Sequence, residues 1–253
     1  MTLSVIIPAY NRPTELIDCI NSLGAAGVCN NELIVQDDCS PDFDLRKFAG
    51  VWTERNAVNL GFAGNCNAGG KRAHGDILVF CNQDILATPE RSQGWDAALL
   101  AAFDDPQVGI VGARLLFPNG AIQSAGGMFD AFGNPYHRCL GYSNPDYAEV
   151  NEAREVDWVT GAALAIRRDL FERVGGFDES YTRGYFEDVD LCMKVRALGF
   201  KVWYEPACTL VHSVGSTGGN PHFAANARLF RQRWVDTNKV PRQSGYISPE
   251  RFW

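Results

Sequence analysis

The sequence predicts an α/β fold built on a mostly parallel sheet with helices on both faces. Short, fully apolar runs recur at intervals too long for hairpins, and stretches with helical spacing lie between them. The ends of three successive runs carry polar or acidic side chains, as expected where a parallel sheet binds ligands beyond its strand ends. Leu3–Pro8 reads as the first strand, and Thr14–Leu23 as an amphipathic helix through Leu16, Ile17, Ile20 and Leu23, stopped by Gly24. Glu32–Gln36 is the second strand. A glycine-rich turn opening at Gly61 leads into a helix near Asn65–Ala73, and Asp76–Cys81 is the third strong strand. A helix at about Gln93–Phe103 and a strand at Val108–Gly112 follow. Leu115–Gly126 reads as a hairpin around a Pro-Asn-Gly turn.

With 253 residues, 46% hydrophobic and 21% charged, the chain can bury roughly 70–75% of its unfolded surface without cross-links. The formal charge of −7 argues against a nucleic-acid partner, which calls for a basic stripe. The eight cysteines form no CxxC pair and no His–Cys cluster at zinc spacing, so they read as reduced, mostly buried thiols. No charged leader precedes Leu3, and no run reaches the ~20 apolar residues of a membrane span. The expected location is cytoplasmic, with the inner membrane face left open by one basic amphipathic stretch. In that stretch, Phe223, Ala227, Phe230 and Trp234 share a helical face beside Arg228, Arg231 and Arg233. It suits either peripheral contact with an anionic bilayer or packing on the chain's own core.

The strand ends read Pro8-Ala9-Tyr10-Asn11, Asp37-Asp38-Cys39-Ser40 and Asn82-Gln83-Asp84. Asp84 follows the apolar run ILVFC, where a rigid strand can aim a carboxylate at a hard divalent cation; an ordinary Asn–Asp turn is the alternative. Asn59–Asn67 is rich in glycine and asparagine but is neither GxGxxG nor a phosphate loop ending in GK[ST]. A dehydrogenase and a P-loop enzyme are therefore disfavoured. The glycines let backbone approach a ligand or close a turn, and Asn65 among the asparagines supplies hydrogen bonds. The run Phe186-Glu187-Asp188-Val189-Asp190-Leu191-Cys192 places three acids in four positions. As a helix start, it sets Glu187 and Asp188 at the positive end of the macrodipole while Val189, Met193 and Leu198 face a core. Asp188 and Asp190 cannot share that face. From this segment alone, a solvated acidic first turn and a catalytic one stand equal.

Taken in order, VIIPAYNR, IVQDDCS, NLGFAGNCNAG, NQD, WVTGAALAIRRDLFERVGGFDE, FEDVDLC and HSVGS resemble family 2 glycosyltransferases of the GT-A fold over roughly residues 3 to 217. The resemblance implies a Rossmann-like, mostly parallel sheet sandwiched by helices, with a small antiparallel portion on the acceptor side. It implies inverting transfer of a sugar from a nucleotide diphosphate to an acceptor hydroxyl, with Mn²⁺ or Mg²⁺ as cofactor. Pro8, Tyr10 and Asn11 then match the loop against the nucleobase. Asp37 and Asp38 match the acidic pair that receives the pyrimidine imide N–H, with Asp38 favoured, which selects a UDP- or dTDP-sugar. Asn82-Gln83-Asp84 stands at the family's DXD motif with its first aspartate replaced. Gln83 and Asp84 thus fall beside the diphosphate, and Asp84 carries the direct metal contact. His212 resembles the second metal ligand, and a structural histidine is the alternative.

On the same resemblance, Asp188 is the general base, Glu187 holds the acceptor or the helix start, and Asp190 caps or orients neighbours. Trp158 and Gly161 line the junction with the acceptor, a saccharide or lipid-linked saccharide; for Trp158 the alternative is core packing. The hairpin at 115–126 is similar to that of rhamnosyltransferase-like members, so dTDP-L-rhamnose is the first donor expected, in the assembly of a surface polysaccharide or glycan. The expected division is a glycosyltransferase domain over 1–220, its nucleotide-binding half about 1–112 and its acceptor half about 113–220. A C-terminal helical extension over 221–253 packs on it. The stretch from Met128 to Glu155 fits an acceptor loop or an ordinary connection. A non-catalytic nucleotide-sugar or glycan binding module on the same fold is the competing reading, because the DXD position is incomplete. A sugar-nucleotide pyrophosphorylase would need a basic glycine-rich loop after the first strand, which Pro8-Ala9-Tyr10-Asn11 does not provide.

Overall fold

The computed structural model describes residues 1–29, 31–41, 44, 51–213 and 221–242. Residues 214–216 of the HSVGS motif and 243–253 of the C-terminal extension lie outside them. The main strands are β1 (Leu3–Ala9), β2 (Glu32–Asp37), β3 (Trp52–Arg55), β4 (Ile77–Cys81), β5 (Ile85–Leu86) and β6 (Val108–Leu116). Beyond them come β7 (Ile122–Ser124), β8 (Gly127–Phe129), β9 (Pro135–His137), β10 (Arg154–Val156), β11 (Ala163–Arg167) and β12 (Lys201–His212). The sheet order is β10-β12-β6-β11-β4-β1-β2-β3, with β5 beside β12 and β7 beside β6; β8 and β9 form a separate hairpin. Strands β1, β2, β3 and β4 run parallel, as do β6 and β12. β11 runs antiparallel to both β4 and β6, so these two groups point the same way. The carboxyl ends of all six therefore lie at one edge, and the segment entering β11 returns to that same edge.

Alternation along the strands sends successive side chains to opposite faces. Val5, Ile7, Val35, Val79 and Val111 pack against α1 (Pro13–Ala26) and α3 (Trp95–Ala102) through Leu16, Cys19, Leu23, Trp95 and Leu99. Ile6, Ile34, Leu78, Phe80 and Ile110 face the other way. They meet α2 (Gly61–Gly70), α4 (Arg168–Arg173), α5 (Glu187–Ala197) and α6 (Phe223–Phe230). Both faces are dry, which is why the strands read as continuous apolar runs. Helix α2 lies so close to β1 that a Cβ on Gly69 would come 2.5 Å from Ile6 Cγ2; only glycine fits that contact.

Several expected boundaries move. Helix α1 runs through Gly24 to Ala26, because Leu23 and Ala26 are both buried and packing overrides the local helix cost of glycine. The glycine-rich segment is itself helical from Gly61, because Asp38 supplies the cap that the segment lacks. β6 extends to Leu116 and turns through Phe117–Gly120 into β7, as the Pro-Asn-Gly signal predicts. β3, an edge strand with half its residues exposed, has no clear sequence signal. Leu198, expected in the core, is 37% exposed because it follows the last turn of α5. The stretch 128–155 carries β8, β9, a 3₁₀ turn at Ala148–Val150 and the start of β10.

The apolar face of the C-terminal stretch is spent on the chain's own core. Ala227 and Phe230 are buried, and Phe223 and Trp234 pack against the same cluster. That face is not available to a bilayer. Among the described residues, no helix is long and apolar enough to cross a membrane.

Candidate active site

The loops at the carboxyl edge are tied together by side chains reaching across strands. Pro8 has no N–H, and the β1–β4 register ends at Ile6 and Phe80, so Pro8 pairs only with Gln36 of β2. Past that point Gln83 takes over: its Oε1 accepts from Tyr10 N at 2.8 Å and its Nε2 donates to Tyr10 O at 3.2 Å. Asn11 N donates to Ser40 Oγ at 2.7 Å, and Ser40 in turn donates its hydroxyl and backbone N–H to Asp37. Asp37 is fully buried, with Arg55 Nε 3.5 Å from its carboxylate. Asp38 caps α2: its Oδ1 accepts from Leu60 N (2.7 Å) and Asn56 Nδ2 (3.0 Å), and its Oδ2 from Gly61 N (2.9 Å). Backbone donors at a helix start are ideal partners for a carboxylate.

Asn65 is 2% exposed, and its amide is fully used between Asn56, Gln36 and Ala9. Pro8, Asp37, Asn65 and Gln83 thus form the frame of the nucleotide-side loops. Tyr10, 43% exposed, and Asn11 are the side chains this frame presents to solvent.

Beyond β4, Asp84 meets His212 from the end of β12, with Nε2 3.1 Å from Asp84 Oδ1. Gln123 of β7 sets the imidazole. Its Nε2 donates to His212 O at 3.1 Å, so its Oε1 faces Nδ1 at 2.6 Å and accepts the Nδ1–H. His212 Nε2 is thereby turned toward Asp84 and Asn82, whose Nδ2 is 3.4 Å away. Asn82 Oδ1 is buried and has no hydrogen-bond partner. Carboxylate oxygen, amide oxygen and imidazole nitrogen suit a Mn²⁺- or Mg²⁺-like ion, and the orphaned Asn82 oxygen is the atom such an ion would satisfy. The residues therefore fit the expected metal. Among the described residues, no group of three or more His, Cys, Asp and Glu side chains is suited to hold an ion. Asn82 standing where the first DXD aspartate is expected accounts for that shortfall.

The acids of α5 divide sharply. Asp188 is partly exposed; its Oδ2 accepts from Gly161 N at 2.9 Å and its Oδ1 from Val189 N at 2.8 Å. Burial pushes its carboxyl above the ordinary range, partly countered by these N–H donors and Thr160. Glu187 is 5% exposed, and its Oε2 has no hydrogen-bond partner. Burial first, and then the charge of Asp188, hold its carboxyl well above the ordinary range. Asp190 is the framework residue expected. It accepts from Tyr181 OH at 3.1 Å and Trp234 Nε1 at 2.8 Å, and it pairs with Lys194 at 2.8 Å.

The two acid centres are joined by the segment entering β11. Gly161 N donates to Asp188, and Ala162 O accepts from Asn82 N at 2.9 Å. Trp158, expected against the acceptor, lies in the core instead. It is 5% exposed, donates Nε1–H to Met128 O at 3.1 Å and packs on His137 at 4.7 Å between centroids. Its indole faces inward because Trp158 bridges to Gly127 of the β8–β9 hairpin. His137 is held neutral, its pKa lowered to about 4 by burial.

One feature beside the candidate base escapes the sequence. The residues leading into α5 adopt left-handed backbone in succession: Arg183 (φ 60°), Gly184 (φ 106°), Tyr185 (φ 72°) and Phe186 (φ 75°). Each such non-glycine residue costs about 1–3 kcal/mol and persists only where its surroundings enforce it. Asn226 of α6 bonds to this run, and nothing in Phe223–Phe230 singles it out from an ordinary helix.

The fold defines the class. With a TM-score of 0.73 over 91% of this chain and 47% of the other, it matches GalNAc-T7 solved with UDP, GalNAc and Mn²⁺, at 18% identity; the chain has the GT-A glycosyltransferase fold. The family model described as Glycosyl transferase family 2 matches residues 4–175, and the chain belongs to that family. An O-antigen biosynthesis protein of Myxococcus xanthus is 29% identical over 83% of this chain and 17% of its own length. The N-acetylglucosaminyl-diphospho-decaprenol L-rhamnosyltransferase of Mycobacterium tuberculosis is 29% identical over 88% of this chain and 81% of its own. The chain spans only 27% of another relative, from Sinorhizobium fredii. Asp188, His212 and Asn226 all fall beyond the family-model match.

Proposed function

We propose that this chain is an inverting glycosyltransferase that moves a sugar from a UDP- or dTDP-sugar to an acceptor hydroxyl, with Asp188 as general base. The observation that carries this reading is the joining of Asp188 to the Asp84–His212 pair through Gly161 and Ala162, at the edge where six strands end. Asp188 removes the acceptor proton as the acceptor oxygen attacks the anomeric carbon. The bond to the diphosphate oxygen breaks with its electron pair leaving on that oxygen, which inverts the anomeric centre. A base whose pKa is raised toward the working pH suits this task.

Asp84, His212 Nε2 and Asn82 Oδ1 would hold a divalent cation. When bound, such an ion neutralises charge developing on the departing diphosphate. Tyr10 offers a face to the nucleobase, and Asp38 Oδ2, which carries a single backbone donor, accepts the pyrimidine imide N–H. An acceptor at this atom favours uracil or thymine over cytosine. The name of the M. tuberculosis relative supports L-rhamnose as the first sugar to try, as dTDP-L-rhamnose on the expectation from the sequence, and a lipid-linked saccharide as acceptor. The M. xanthus relative supports surface-polysaccharide assembly.

The deciding experiment is a donor screen across UDP- and dTDP-sugars with Mn²⁺, run in parallel on the wild type and Asp188→Asn. The reading requires nucleotide release by the wild type only, with donor binding kept by the variant. Equal turnover by both proteins would overturn it.

A further inference from the structure

We propose that Asn226 is a positioning residue for the transfer reaction: it locks the left-handed run Arg183–Phe186 and thereby fixes where Asp188 stands. The proposal rests on the reading of Asp188 as the base.

Helix α5 begins without a side-chain cap, since its N-cap is Phe186 in left-handed backbone. Ordinary helix starts use Ser, Thr, Asp or Asn at that position. Asp188 is the second residue after Phe186, so the path of the run decides where the carboxylate points. Nothing in the run's own sequence favours that path except Gly184, since Arg183, Tyr185 and Phe186 all pay for positive φ. Such a conformation persists only when its neighbours enforce it.

Asn226 supplies the enforcement. It is 2% exposed. Its Nδ2 donates to Gly184 O at 2.8 Å and Thr182 O at 3.1 Å, with Tyr185 O at 3.4 Å, and its Oδ1 accepts from Thr182 N at 3.2 Å. One amide thus reads the N–H of Thr182 and the carbonyls of Thr182, Gly184 and Tyr185, a pattern that a different backbone path would break. Aromatic contacts from the same helix complete the grip: Phe186 lies 5.4 Å from Phe223 and 5.5 Å from Phe230, and Tyr185 lies 5.3 Å from Phe223. The rest of α5 is anchored through other contacts, from Asp190 to Tyr181 and Trp234 and through buried Val189, Leu191 and Met193. Losing the amide therefore frees the run and the first turn while the helix stays docked.

The test compares Asn226→Ala and Asn226→Asp with the wild type in full-length protein. The Asp variant keeps the size of the side chain but loses its donors. Both are expected to lower kcat about 100-fold, the effect of a misplacement on the order of 1 Å, with donor affinity changed less than about twofold. Because a loosened first turn hydrates Asp188, the acidic limb of the pH–rate profile should move to lower pH. Gly184→Ala tests the same element without touching Asn226. Its Cβ would find room, 3.8 Å from Glu187 Oε1, so the strain falls on the φ of +106°, and kcat should fall in the same direction. A lowered Tm with unchanged kcat and pH limb in the folded fraction of all three variants would reduce Asn226 to a structural residue. Full turnover by Asp188→Asn would instead remove the base assignment, and this proposal with it.

Discussion

The two acid centres of this molecule are built by opposite means. Asp84 and His212 stand at the ends of β4 and β12, where regular hydrogen-bonded backbone delivers them to the same edge, and Gln123 from a neighbouring strand sets the imidazole. Asp188 stands on an uncapped helix start reached through consecutive left-handed residues, and α6, far along the chain, bonds to that run. A sheet positions side chains cheaply because each strand is fixed by its neighbours. A strained turn positions one only while its clamps hold, and burial of the partly exposed Asp188 pushes its carboxyl above the ordinary range. On the proposed reading, the half that would serve the leaving group is built on strands, and the half that would serve the nucleophile is built on a strained turn that distant substitutions should detune.

The contrast is sharpest in the chemistry. Asp188→Asn should lower transfer by about 10²–10⁴-fold while leaving donor affinity intact, read by calorimetric titration of the nucleotide sugar. On the other half, Asp84→Asn or His212→Ala should cost about 10²-fold and weaken donor binding as well. Chelation of divalent metal should reproduce both effects in the wild type. Donor affinity insensitive to chelator would break the division of labour between the halves.

Stability separates two acids that are neighbours on one helix. Asp190→Asn removes a 1%-exposed charge paired with Lys194 and should cost about 3 kcal/mol. This is measurable by denaturant titration, with kcat of the folded enzyme unchanged. Glu187→Gln should act the other way. The folded-state pKa of Glu187 is raised, so the folded protein holds this proton more tightly than the unfolded chain, and stability is lost as pH rises through that folded value. The Gln variant should therefore keep its Tm where the wild type declines, above the ordinary glutamate range. A wild-type Tm independent of pH across that range would mean that Glu187 is solvated.

Much of the candidate site's placement was legible because it is local. Asp84 follows an apolar run, and Glu187 and Asp188 open a helix; both follow from spacing along the chain. Trp158 shows the limit. A tryptophan entering an apolar strand can serve a ligand or a core, and only the bridge to Gly127 turns it inward. Asn65 shows the same limit from the polar side, since an asparagine beside a strand end can serve either a ligand or the frame of the loops. Here its bonds run to Gln36, Asn56 and Ala9.

What the sequence determined by itself is the alternation of apolar strands and helices, hence a sheet buried on both faces, and the polar character of its carboxyl edge. These follow from periodicity and from the chemistry of single residues. Tertiary structure decided how each acid is partnered. Asp190 pairs with Lys194 and accepts from Trp234 and Tyr181, Asp38 accepts from the backbone of a helix start, and Asp188 stays partly exposed. Burial and partnership depend on residues tens of positions away, and no local pattern in the chain records them.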